Sequence, residues 1–209
     1  MSKPRQATLD LGEPPRTGDI GSIEVWLDAT GRRPALGIDE AGRGPLAGPV
    51  TAAAVCLPAE LPASLAALND SKKLTEAQRE RLFLPIQSVA IAFGIASIGA
   101  ARIDEINILE ATREAMRQAA QAAVAMLGRA PATLLVDGNL PLPGWEGEQW
   151  ALVKGDGRSV NIAAASVLAR EPAGPGAVLP PEAGRGEPRG RPGAAPVRVD
   201  IGIPTTHRL

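Results

Sequence analysis

The chain has no tyrosine at all, and its 209 residues include only two phenylalanines, three tryptophans, one histidine and one cysteine. A lone cysteine, Cys56, excludes an internal disulfide and leaves no thiolate cluster for zinc. Cys56 is therefore expected in the core, and a reducing, cytoplasmic setting is the natural one. Nowhere does an apolar run reach the length of a membrane span, and the N-terminal MSKPRQATLDLGEPPRTGD lacks the apolar centre of a secretory signal. A soluble monomer with no membrane partner is expected. An excess of charge is missing too: the formal net charge of −1 neither invites nor excludes nucleic acid, because a local basic groove can stand beside an acidic site. The 44% hydrophobic content suffices for one substantial domain.

The stretch around which the chain is organised is 36–50, LGIDEAGRGPLAGPV. A short apolar run ends in two acids, Asp39 and Glu40, and Gly42, Arg43 and Gly44 follow at once. This is the composition of a strand delivering charge to a rim where backbone can approach a ligand closely. A strand ending in a solvated acidic turn has the same composition, since Asp and Gly are ordinary turn residues.

Three parts follow along the chain. Residues 1–33 mix Pro, Gly and charge around a brief apolar patch at 23–27 and are expected to form a flexible arm that docks one short segment. Within it Gln6, Leu9 and Leu11 resemble the short peptides with which DNA-processing enzymes hold a sliding clamp, but Gly12 stands where an aromatic anchor belongs. Residues 34–170 are expected to form the main folded domain. Strands are predicted at 36–39 and 50–57, joined as a hairpin, then at 89–98, 133–136 and 150–154. Thr75 and Gln78 form a capping box for a helix over 76–86. Apolar residues at three- and four-residue steps from Asn107 predict a long helix ended by Gly128. Ser159 or Asn161 caps a helix over 162–170, whose alanines at 163, 164 and 165 permit close approach to a sheet. The third part, 171–209, holds 8 Pro and 7 Gly, and Pro172 stops the preceding helix. Gly, Ala, Pro and Arg make up 25 of these 39 residues, the composition of GC-rich coding sequence read out of frame after Arg170. A natural disordered tail is the competing reading.

Asp39, Glu40 and Asp137 come from the ends of different strands, and neighbouring strand ends converge on one rim of a sheet. Clustered carboxylates without His or Cys select hard ions, so Mg²⁺ or Mn²⁺ is the expected cofactor. The chemistry implied is phosphoryl transfer, with two ions roughly 4 Å apart in an in-line displacement. Asp137 also begins an Asp-Gly pair, the start of an ordinary turn.

Taken in order, GIDEAGRGPLAGPV, LNDSKKL, INILEAT, LLVDGN and VKGDGRSVNIAAASVLAR resemble ribonuclease HII over about residues 35–170. The resemblance implies an α/β fold of the RNase H-like kind, a mixed sheet of about five strands flanked by helices. It also implies endonucleolytic cleavage on the 5′ side of ribonucleotides, in RNA–DNA hybrids or singly embedded in duplex DNA. Asp39, Glu40 and Asp137 match three of the family's four metal-binding carboxylates. Gly42, Arg43 and Gly44 match the segment that recognises the ribose 2′-hydroxyl, and glycine lets backbone reach that group. Lys72, Lys73 and Lys154 are expected to bind phosphate without reading sequence.

The chain departs from the pattern at its end. The fourth carboxylate should fall at position 174, which is Gly174, and Glu171 is biased away from helical geometry by Pro172. No tyrosine is available for the family's substrate contact near the C-terminus, where Ile203 and His207 stand in a faintly similar segment. The family's C-terminal helices have no counterpart. Two functional expectations result: a metal-dependent nuclease impaired by the missing acid, or a relic that binds hybrid without cutting.

Overall fold

The computed structural model describes residues 12–43, 48–170 and 178–179, of which 69–73 and 178–179 are described by backbone alone. Gln6, Leu9 and Leu11 of the clamp-like pattern therefore lie outside the described residues, as do Gly44, Glu171, Gly174, Ile203 and His207.

The expected hairpin is present. β1 (Ala35–Ala41) pairs antiparallel with β2 (Val50–Cys56), from Gly37 opposite Val55 to Ala41 opposite Thr51. β3 (Ala92–Ile98) continues the meander antiparallel to β2, while β4 (Thr133–Asp137) lies parallel to β1 and β5 (Gln149–Leu152) parallel to β4. A two-residue strand, β6 (Val178–Leu179), pairs antiparallel with β3 and gives the order β5-β4-β1-β2-β3-β6. The mixed sheet is thus the expected five strands plus a short edge from within 171–209, a segment expected to be disordered.

The helices follow their sequence signals closely. α2 (Glu76–Val89) begins on the capping box: the Gln78 N–H donates to Thr75 Oγ1 at 3.3 Å and the Thr75 N–H to Gln78 Oε1 at 2.8 Å. Thr75→Ala removes the first of these bonds and is expected to cost about 1 kcal/mol. That lowers the midpoint of thermal unfolding by about 2–4 °C, measurable by circular dichroism. α3 (Ala100–Leu127) starts seven residues before the expected Asn107. It is two helices joined at Asn107, whose φ of 70° and ψ of 162° break the run. Asn107 Oδ1 accepts the N–H groups of Leu109 and Glu110, so the expected start is a genuine helix N-terminus set inside a longer pair. α4 (Val160–Arg170) is capped by Ser159, whose hydroxyl oxygen accepts the Ile162 N–H at 3.3 Å.

The apolar patch at 23–27 is the short segment of the arm expected to dock, and it docks as a helix. Ser22–Thr30 forms a helix, α1, whose Ile23, Trp26 and Leu27 are buried against Ala35, Leu135, Leu152 and Ile162. Ile23, Trp26 and Leu27 recur at helical spacing, and burying that stripe outweighs the turn-forming residues on either side.

Successive side chains along a strand face opposite ways, and here they feed two packed layers. Ile38, Ala52 and Ala54 face α3, meeting Ala111, Ala115, Ala119, Ala120 and Ala123. Ala53, Val55 and Ile95 face α2 and α4, meeting Ala163, Ala164 and Ala165. All these alanines are fully buried, and alanine on both sides of each interface allows close packing. At Gly37 the closeness is extreme: a Cβ there would lie 2.4 Å from the Asn161 carbonyl carbon and the Ile162 nitrogen.

Candidate functional site

β1 and β4 run parallel with Ile38 opposite Val136. The next residue on each strand is an aspartate, so Asp39 and Asp137 are brought side by side where the two strands end. Ile38 and Val136 face α3, which turns Asp39 and Asp137 toward α4. There Asp39 is 7% exposed, its Oδ1 accepting the Glu40 N–H at 2.8 Å. Its pKa rises from 3.8 to about 7: burial contributes most and the charge of Asp137 next, opposed by a hydrogen bond from Ser166 on α4 and by the Glu40 N–H. Asp137 is also raised, first by burial and then by the charges of Asp156 and Glu40. The Gly155 N–H, donating to Asp137 Oδ1 at 2.7 Å, works the other way. Glycine is required at 155, because a Cβ would lie 2.6 Å from Ile162 Cδ1 and 3.1 Å from Asp137 Oδ1.

Glu40, one residue further along β1, emerges on the other side of the rim. It lines a groove with Arg43, Leu109, Thr112, Arg113, Asp137 and Gly138, and its Oε1 lies 3.1 Å from Arg43 Nη1. Gly42 has a φ of +92°, and a Cβ there would lie 2.3 Å from the Pro49 carbonyl oxygen, so the turn that carries Arg43 to the groove demands glycine. Lys154 is exposed immediately before Gly155, beside the aspartate pair. The side chains of Lys72 and Lys73 lie outside the described residues.

The expected cluster of three carboxylates is thus realised as a pair, buried Asp39 and half-buried Asp137, with Glu40 turned aside toward Arg43. Among the described residues no group of three His, Cys, Asp or Glu side chains could hold a metal ion together. The pair itself fits a hard divalent cation: its donors are all oxygen, its charges repel, and burial destabilises them further until a cation compensates. Two groups around the pair were not expected. Ser166 is the one hydroxyl on the buried, alanine-rich α4, a signal that could have singled it out. Asp156 was hidden in the turn chemistry of Gly-Asp-Gly, yet its charge reaches Asp137.

An α/β domain with a mixed sheet, helices on both faces and aspartates at adjoining strand ends belongs to the RNase H-like class. Ribonuclease H2 from Pyrococcus horikoshii superposes with a TM-score of 0.53 at 26% identity, over 65% of this chain and 69% of that one. A structure of Bst-RNase HIII in complex with Mn²⁺ gives a TM-score of 0.55 at 24% identity, over 65% and 50% of the two chains, and bears on the fold alone. At the level of sequence, the model of the family Ribonuclease HII matches residues 36–173. Ribonuclease HII of Geobacillus kaustophilus is 53% identical over 158 residues, covering 74% of this chain and 56% of that protein. Its counterpart in Ruegeria pomeroyi is 50% identical over 149 residues, covering 71% and 60%. The chain belongs to the ribonuclease HII family, and it spans little more than half the length of these curated relatives.

Proposed function

We propose that the chain is a metal-dependent endonuclease that hydrolyses the phosphodiester 5′ of a ribonucleotide, in an RNA–DNA hybrid or in duplex DNA carrying a single ribonucleotide. The observation that carries this reading is the mutually repelling pair of buried Asp39 and half-buried Asp137 at the rim of an RNase H-like sheet. Asp39 and Asp137 would hold the cation, with Glu40 available at the groove. Mn²⁺ or Mg²⁺ bound there, in the two-ion form, supplies a water made acidic at neutral pH and compensation of charge on the phosphoryl oxygens.

The chain's own residues do the rest. The Gly155 N–H holds Asp137 and the Glu40 N–H holds Asp39, each by one oxygen, and the Ser166 hydroxyl on α4 favours the charged form of Asp39. Arg43 stands at the groove entrance on a tight glycine turn, close enough to meet a phosphate or the 2′-hydroxyl beside it. Lys154 adds positive charge without reading bases. Thr112, Leu109 and Leu140 form the half-apolar wall opposite, against which a ribose can rest.

The test is incubation of the purified chain with Mn²⁺ or Mg²⁺ and a duplex containing one ribonucleotide. Cleavage 5′ of that nucleotide, leaving 3′-hydroxyl and 5′-phosphate ends, is the expected result, and none above an Asp39→Asn control would overturn the reading. The absence of an acid at position 174 favours a second reading, a binding-only relic. Ribonucleotide-dependent binding without turnover distinguishes it. Arg43→Ala is expected to raise the KM for the ribonucleotide-containing duplex about 10- to 100-fold, from the loss of one charge-assisted contact worth about 1.5–3 kcal/mol. Its affinity for all-DNA duplex should change far less, as competition binding would show.

A further inference from the structure

We propose that Glu24 is a positioning residue for the Asp39–Asp137 pair, an inference that rests on reading that pair as the reactive site. Glu24 lies on α1, ahead of the residues 36–173 that match the family. It is 8% exposed, an unusual place for a carboxylate. Its Oε1 accepts three hydrogen bonds from the start of α4: the Ser159 hydroxyl at 2.7 Å, the Asn161 amide nitrogen Nδ2 at 3.1 Å and the Asn161 backbone N–H at 3.3 Å. A negative group at a helix N-terminus also meets the positive end of the helix dipole.

What Glu24 fastens is the segment that holds both aspartates. Upstream, the Ser159 N–H donates to the Gly155 carbonyl at 2.8 Å, and the Gly155 N–H donates to Asp137. Downstream, two turns along α4, Ser166 reaches Asp39. Asn161 ties the same point to the sheet, accepting the Leu57 N–H at 2.8 Å just past the end of β2. Glu24 therefore grips the middle of a span whose upstream end orients Asp137 by a hydrogen bond and whose downstream end carries the hydroxyl that favours the charged form of Asp39. An apolar side chain could fill the same space. It could not receive three donors that would otherwise be buried without a partner.

The geometry also specifies a conservative variant. Glu24 Oε2 has no hydrogen-bond partner among the described residues, so Glu24→Gln keeps the acceptor that makes all three bonds and places its NH₂ where no donor is opposed. Glu24→Ala removes all three.

Native-state amide exchange followed residue by residue tests this in the full chain, with Ile98→Ala on β3, which packs on the α3 side of the sheet, as a destabilised control away from α4. In Glu24→Ala the Gly155 amide is expected to exchange at least about 10-fold faster relative to the strand amides of Leu135 and Val55. Glu24→Gln should keep it near wild type, and Ile98→Ala should leave the ratio unchanged. In cleavage assays Glu24→Ala is expected to lower kcat about 10- to 100-fold with little change in KM, and Glu24→Gln to recover most of it. Should Glu24→Ala not fold, Ser159→Ala removes one of the three bonds and carries the same exchange test. Unchanged Gly155 protection in Glu24→Ala, or an equal loss in Ile98→Ala, would overturn the proposal. A wild-type chain that does not cut would instead overturn the proposed function, while exchange at Gly155 still decides the role of Glu24.

Discussion

Asp39→Asn is expected to abolish cleavage and, in the same protein, to raise stability when no divalent cation is present. The two effects share a cause. The Asp39 carboxyl is raised from 3.8 to about 7 by burial and by Asp137, so between those pH values the folded chain binds a proton that the unfolded chain has released. Stability is then lost as pH rises through this window, and the whole penalty is in force above pH 7. A rise of that size corresponds to about 4 kcal/mol, and asparagine, carrying no charge, escapes it. Melting curves in a chelating buffer should show wild type and variant nearly level at pH 4 and furthest apart at pH 8, with the variant higher. Added Mn²⁺ should narrow that gap by stabilising wild type. Cleavage, by contrast, should fall at least about 10³-fold, since charge compensation at the phosphate is a large catalytic contribution. A variant less stable than wild type at pH 8 in chelator would contradict the burial of an uncompensated charge.

Gly37→Ala is the second large effect. The added Cβ would lie 2.4 Å from two backbone atoms of α4, and backbone cannot turn aside as the end of a side chain can. Either the helix moves off the sheet or the fold gives way, a class of overpacking expected to exceed about 4 kcal/mol here. Urea unfolding should show a lowered midpoint, with the slope unchanged if the chain still folds in two states. If it folds, Ser166 is displaced from Asp39, so cleavage falls as well. A midpoint within experimental error of wild type would show that α4 does not pack on β1 as closely as described.

Much of this arrangement was legible in the residues because its signals are local. Thr75 and Gln78 announced the start of α2, Gly128 the end of α3, and Asp137 the end of β4, while β1 runs two residues past Asp39 to Ala41. The sheet that joins those two acids depends on parallel pairing of β1 with β4 across nearly a hundred residues, and only the run of motifs made it foreseeable. What escaped detection was written in tertiary contacts. The apolar patch at 23–27 marked a segment able to dock, but, short and set among prolines and glycines, it did not declare that it would form a helix. Glu24 gave no local signal, because its partners stand more than 130 residues away. Ser166 passed as one small residue among alanines. Asn107 marked a helix start correctly, while the helix ahead of it was masked by a backbone break that periodicity cannot register. The separation of Glu40 from the aspartates follows from the alternation of a strand, but only once the end of β1 is known.

The alanine-lined interfaces have a thermodynamic side as well. Alanine has no rotamers to freeze, whereas each buried leucine or isoleucine gives up about 0.5–1 kcal/mol of side-chain freedom on folding. With alanine facing alanine on both sides of the sheet, the chain contracts around its reactive rim with little loss of side-chain entropy. The same thrift leaves no slack. Methyl groups cannot swing aside, so the helices behind Asp39 and Asp137 are located by backbone contact, and the carboxylates inherit their register from the main chain rather than from adaptable side chains.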